Sequence, residues 1–141
     1  MFNLDDCIAC ITSKAAKKLG QRIEKRIEKH HVTRVQWMAL YYINLSKHTT
    51  QKELADRMVL TEATVVRLID RMEKENLVIR TNHENDKRKK YVELTEKGAQ
   101  LNKEVTVIVE AFKDKAISNI SEEDLDTYKR VLDQMLKNTF E

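Results

Sequence analysis

TQKELADRMVLTEATVVRLIDRMEKENLVIR, residues Thr50 to Arg80, carries two helix starts in close succession. Thr50 and Glu53 have the spacing of a capping box, in which a hydroxyl and a carboxylate reciprocally satisfy free backbone N–H groups. Thr61 is placed to cap the next segment, with Leu60 and Val65 as its hydrophobic staple. Two short helices joined so tightly predict a helix-turn-helix. In the second helix Val65, Leu68, Ile69 and Met72 recur on one face and form the buried side. Ala63, Thr64, Arg67, Arg71 and Lys74 face the other way. That face is small and polar at its start and basic along its length, as a helix lying in a DNA groove should be.

Immediately downstream the apolar period shortens. Leu77–Thr81 and Tyr91–Leu94 are short and β-prone, and the NHENDKRKK between them reads as the long loop of a hairpin. Lys87, Arg88, Lys89 and Lys90 make this loop the densest basic cluster in the chain. A basic loop alone is usually solvated charge; directly after a helix-turn-helix it points to DNA contact. The combination predicts a winged helix.

The flanks are helical. Leu4, Ile8, Ile11, Ala15, Leu19, Ile23 and Ile27 form one stripe on a long first helix. Val32, Thr33, Gln36 and Trp37 give a staple and capping box for a second helix, apolar nearly all round and therefore central. Thr95 caps a fifth helix and Ser121 a sixth, whose apolar positions are Leu125, Tyr128, Val131, Leu132, Met135, Leu136 and Phe140. The stripe on the first helix outruns what one small domain can cover, so an end is expected to pack on another chain. The fold class is mainly α with a small β-hairpin wing. Residues 33–94 form the winged helix-turn-helix lobe, and residues 1–32 and 95–141 supply dimerisation helices.

Composition agrees. In 141 residues there are no prolines and only two glycines, which disfavours all-β sandwiches, and Gly20 and Gly98 are too far apart to cradle a phosphate. Basic residues number 26 against 23 acidic, a net charge of +3, so any attraction to an anionic partner depends on where the charges sit. The apolar run from Trp37 to Ile43 is far short of the ~20 residues a membrane span needs. Acidic residues stand in MFNLDDCIAC where a signal peptide carries lysines, so a cytoplasmic location is expected. No cofactor or metal is expected: His30, His31, His48 and His83 have no ligand spacing among themselves or with the cysteines.

At this point the chain resembles the MarR family of winged-helix transcriptional regulators. Asp86-Lys-Arg88, five residues, then Leu94-Thr95-Glu96-Lys97-Gly98 matches the family's Asp-x-Arg wing and Leu-Thr-x-x-Gly junction, and Thr50–Arg80 resembles its helix-turn-helix. The resemblance implies a homodimer on a palindromic site in double-stranded DNA, with the recognition helix in the major groove. It implies Arg88 in the minor groove, held by Asp86, and Thr61, Ala63, Thr64 and Arg67 nearest the base edges. Physical chemistry supports those roles. A planar guanidinium suits the negative potential of a narrow minor groove, and Arg67 is long enough for a bidentate contact to guanine. Lys87, Lys89 and Lys90 suit phosphates, which set affinity but not sequence.

Two clusters have competing readings. Cys7 and Cys10 are either small apolar fillers in the dimer interface or a thiol redox switch such as one branch of the family carries. Against the switch, Ile11 stands where that branch keeps a tyrosine, and Asp5 and Asp6 would raise a neighbouring thiol's pKa. Trp37 and Tyr41 are either core or part of a cleft for a small phenolic or lipophilic effector. The function expected is a dimeric repressor released by such an effector or by oxidation. The alternative is a winged-helix adaptor without specific DNA binding, which Arg67, Arg71 and Lys74 disfavour. No nucleophile–base–orienter set marks an enzyme.

Overall fold

A computed structural model describes residues 1–141, save the side chains of His83 and Lys87. The helices are α1 (Ile8–Ile27), α2 (Arg34–Leu45), α3 (Gln51–Met58), α4 (Glu62–Lys74), α5 (Glu96–Ala116) and α6 (Glu122–Asn138). The strands are β1 (Thr49–Thr50), β2 (Val78–His83) and β3 (Asp86–Leu94), forming a sheet of order β1-β3-β2 with antiparallel pairing. The chain divides into two compact units, Met1–Val109 and Glu110–Glu141.

Local chemistry sets the helix starts. Thr33 and Gln36 bond reciprocally at 3.1 and 3.0 Å, and Thr50 and Glu53 at 3.1 and 2.9 Å, so both capping boxes form. The Thr61 hydroxyl accepts the Thr64 N–H at 3.2 Å, that of Thr95 accepts the Gly98 N–H at 3.0 Å, and that of Ser121 accepts the Asp124 N–H at 3.1 Å. The core of the first unit gathers Ile27, Leu40, Ile43, Leu54, Val65, Ile69, Met72, Val78, Val92 and Val105, all at most 2% exposed. Each such side chain contributes about 1.5–3 kcal/mol on burial.

Three local features differ from the sequence reading. The first helix does not run unbroken from Leu4. Asn3 Oδ1 accepts the Asp5 N–H at 3.1 Å, which favours a 3-10 turn over Leu4–Asp6, and Cys7 is extended before α1 begins. Thr49 and Thr50 form a two-residue strand, pairing with Val92 and Tyr91, that the sequence pattern does not reveal, while Thr50 still caps α3 as expected. The wing has no long loop: β2 and β3 extend to a turn of only Glu84–Asn85. Pairing runs regularly from Val78–Leu94 to Asn82–Lys90 and then jumps to His83–Asp86. Residues 87–89 therefore bulge, and the charge run is accommodated because β1 covers β3 only at Tyr91 and Val92.

The second unit contains the end of α5, a turn with Asn119 in left-handed conformation (φ 62°), and α6. None of the residues of α6 is buried; Tyr128, Val131 and Leu136 are exposed along its apolar stripe.

Gly98 explains the Leu-Thr-x-x-Gly pattern physically. A Cβ there would collide with the Leu77 carbonyl oxygen, which accepts the Thr95 N–H at 3.1 Å. Gly98→Ala is expected to lower stability by about 1–3 kcal/mol, as overpacking against rigid backbone does. Urea unfolding monitored by circular dichroism would measure it, and an unchanged midpoint would contradict the close approach.

Candidate nucleic-acid interface

The outward face of α4 exists because the inward one is full. Val65, Ile69 and Met72 are completely buried, which orients Ala63, Arg67, Asp70 and Lys74 away from the core. Arg67 and Lys74 are exposed and have no ion-pair partner among the described residues. Arg71 is also exposed but is engaged by Glu75 at 3.3 Å. The Thr61 hydroxyl is committed to capping and lies 2.8 Å from that of Thr64, which is partly buried. These two threonines therefore fix the helix start as well as standing beside the face.

On the wing, Asp86 Oδ1 accepts the backbone N–H of Arg88 at 3.0 Å and its Nε–H at 3.4 Å. The carboxylate thus holds the base of the side chain, while the guanidinium stays largely in solvent. Lys89 and Lys90 are exposed on the same strand; the Lys87 side chain lies outside the described residues. The face of α4 also carries acids that the sequence reading passed over. Asp70 and Glu73 meet Arg80 of β2 at 2.6 and 3.3 Å, and Arg80 donates further to the Val66 carbonyl at 3.1 Å and to Gln51 Oε1 at 3.0 Å. A charged residue inside a short strand gave no signal of this in sequence, because its partners lie on other elements.

A groove of about 420 Å³ lies between α2 and α5, lined by Tyr41, Asn44, Asn102, Lys103, Thr106 and Val107 among others. Trp37 is tied to one of these lining residues: its indole N–H donates to Thr106 Oγ1 at 3.0 Å, and Thr106 in turn donates to Asn102 Oδ1 at 3.4 Å. Trp37 and Tyr41 have ring centroids 5.9 Å apart. Trp37 is half-buried against the core, whereas Tyr41 is exposed at the groove. An apolar wall with a few fixed polar groups is the lining a small aromatic ligand requires.

Cys7 and Cys10 are both partly buried free thiols at the start of α1. The acids beside them do not have the expected effect. The Cys7 thiol is shifted downward, first by the hydrogen bond from the Cys10 side chain and then by the backbone N–H of Cys10. Cys10 is shifted upward by the same thiol contact and by burial. Asp5 is paired with Lys14 at 3.2 Å, which offsets its charge. At a given pH Cys7 thus holds more thiolate than Cys10, and the thiolate is the reactive form. Iodoacetamide near neutral pH should label Cys7 first in a peptide-mapped time course, and Cys10→Ser should slow that labelling. Equal rates for the two cysteines would contradict the shifts.

The MarR family model matches residues 32–90. Among solved structures, the fold matches the S. aureus MepR–DNA complex with a TM-score of 0.87 at 25% identity, over 94% of this chain and 98% of that one. AbsC, a MarR family transcriptional regulator from Streptomyces coelicolor, matches with 0.88 at 23% identity, over 98% and 95%. CouR from Rhodococcus jostii RHA1, bound to p-coumaroyl-CoA, matches with 0.83 at 21% identity, over 100% and 99%.

Proposed function

We propose that this chain, whose residues 32–90 match the MarR family model, is a DNA-binding transcriptional regulator that acts as a homodimeric repressor of a palindromic operator and is released by a small effector. The observation that carries this reading is the outward face of α4, where Arg67 and Lys74 stand free on a helix anchored by three fully buried residues. Arg67 reads bases from the major groove, with Ala63 and Thr64 beside it and Thr61 at the helix start. Arg71, Lys74, Lys87, Lys89 and Lys90 meet phosphates, and Arg88, steadied by Asp86, enters the minor groove. The MepR structure with DNA supports this placement by analogy.

The dimer is proposed from the apolar residues left uncovered. Leu4, Ile8, Ile11 and Leu19 in the N-terminal segment are 42–59% exposed, and Tyr128, Val131, Leu136 and Phe140 near the C-terminus are 42–88% exposed. Stripes of this kind on a single chain mark an association surface. Residues 1–32 and 95–141 would supply it, leaving residues 33–94 as the DNA-binding lobe.

The groove beside Tyr41 and Trp37 is the proposed effector site, for a small phenolic or lipophilic ligand. That CouR is bound to p-coumaroyl-CoA supports an aromatic ligand class. Effector binding between α2 and α5 would bias the protein toward an arrangement unable to span both half-sites. The Cys7–Cys10 pair supports oxidation by a peroxide as a second release route: the Cys7 thiolate attacks the peroxide O–O bond, taking one oxygen as a sulfenic acid and expelling the other as water or an alcohol, and the Cys10 thiol then displaces water from that sulfenic acid to form the disulfide.

Selection of random and genomic DNA fragments on the purified protein tests the reading. One enriched palindrome, with half-sites about one helical turn apart, is expected. Binding that favours no sequence and fades with salt would return the protein to an adaptor role. On the selected operator, Arg88→Ala should weaken binding roughly tenfold and relax sequence preference beside the half-site. Val131→Glu with Leu136→Glu should convert a dimer to monomer by light scattering; an unaltered mass would place the interface elsewhere.

A further inference from the structure

The recognition helix carries its own opposition to DNA. Asp70 stands one turn from Arg67 and one turn from Lys74, on the face proposed to meet the major groove, and Glu73 adjoins it. A carboxylate in that place repels the phosphates that the neighbouring cations attract. Both carboxylates are held by one residue: Arg80 Nη2 lies 2.6 Å from Asp70 Oδ1, and Arg80 Nη1 lies 3.3 Å from Glu73 Oε1. The Arg80 side chain is only 15% exposed, so it is shielded from competing solvent, and two further N–H groups donate to the Val66 carbonyl and Gln51 Oε1. The fork geometry of arginine permits this division among four acceptors, which a lysine could not reproduce.

We propose that Arg80 is a positioning residue for operator recognition, acting through Asp70 and Glu73. It draws the two carboxylates toward β2 and neutralises them, so that Arg67 and Lys74 set the sign of the face. This rests on the reading of α4 as the DNA-contacting helix. A purely structural clamp would matter equally at every salt concentration. A charge-neutralising residue acts most strongly at low salt, where phosphate repulsion is least screened.

The test is fluorescence anisotropy of the full chain on its selected operator at about 50 and 200 mM salt. Arg80→Met should bind roughly tenfold more weakly at the lower salt, with the deficit shrinking at the higher. Adding Asp70→Asn and Glu73→Gln to it should restore most of the affinity, although the clamp stays broken. Asp70→Asn alone, which leaves Arg80 in excess, should bind at least as tightly as the parent, and it decides the matter should Arg80→Met fail to fold. Parental affinity in a folded Arg80→Met, no rescue by the two neutralising substitutions, or weaker binding by Asp70→Asn would each overturn the inference. Failure of the parent protein to select any operator would instead overturn the reading of α4 on which it rests.

Discussion

Three elements of the winged helix meet at the guanidinium of Arg80. It touches the start of α3 through Gln51, the middle of α4 through Val66, Asp70 and Glu73, and belongs itself to β2. A two-helix motif of 8 and 13 residues is too short to be stable alone, and the helices take their stability from packing. The buried faces of α3 and α4 provide most of it and set their rotation; Arg80 adds contacts that draw Asp70 and Glu73 toward the sheet. The rotation of α4 decides which side chains are presented outward. The charge that the proposed interface presents therefore depends on a residue that has no place in it.

What was legible in the sequence is local. Thr33, Thr50, Thr61, Thr95 and Ser121 announce helix starts because a cap is made within four residues, and each is found where the sequence places it. Buried faces were legible through the periodicity of Val65, Ile69 and Met72. What was not legible is made by tertiary contact. Thr49 and Thr50 are too short a strand to show a period, and they are extended because β3 offers unpaired backbone beside them. The Lys-rich segment is β because β2 pairs with it, against a sequence preference for a solvated loop. The Arg80 contacts span 7 to 29 residues and connect positions that look unrelated in sequence.

The cysteines show the same division in miniature. From sequence, Asp5 and Asp6 were the nearest charges and were expected to dominate. In the fold Cys7 precedes the helix, where backbone N–H groups are free to donate to its sulfur, and the Cys10 thiol lies against it. Proximity along the chain proved a poor guide to the field at the sulfur, since Asp5 is turned toward Lys14.

The Leu77 carbonyl has a mechanical meaning. It bonds the Thr95 N–H and lies directly beneath Gly98, while the Thr95 hydroxyl donates to the Asn76 carbonyl at 2.6 Å and Lys97 Nζ to that of Glu75 at 2.9 Å. The first turn of α5 is thereby riveted to the root of the wing, with no room for either to slide over the other. The groove beside Tyr41 is walled by the next turns of that same helix. A ligand pressing on α5 in that groove would therefore push on a helix whose first turn is bonded to the root of the hairpin that bears Arg88.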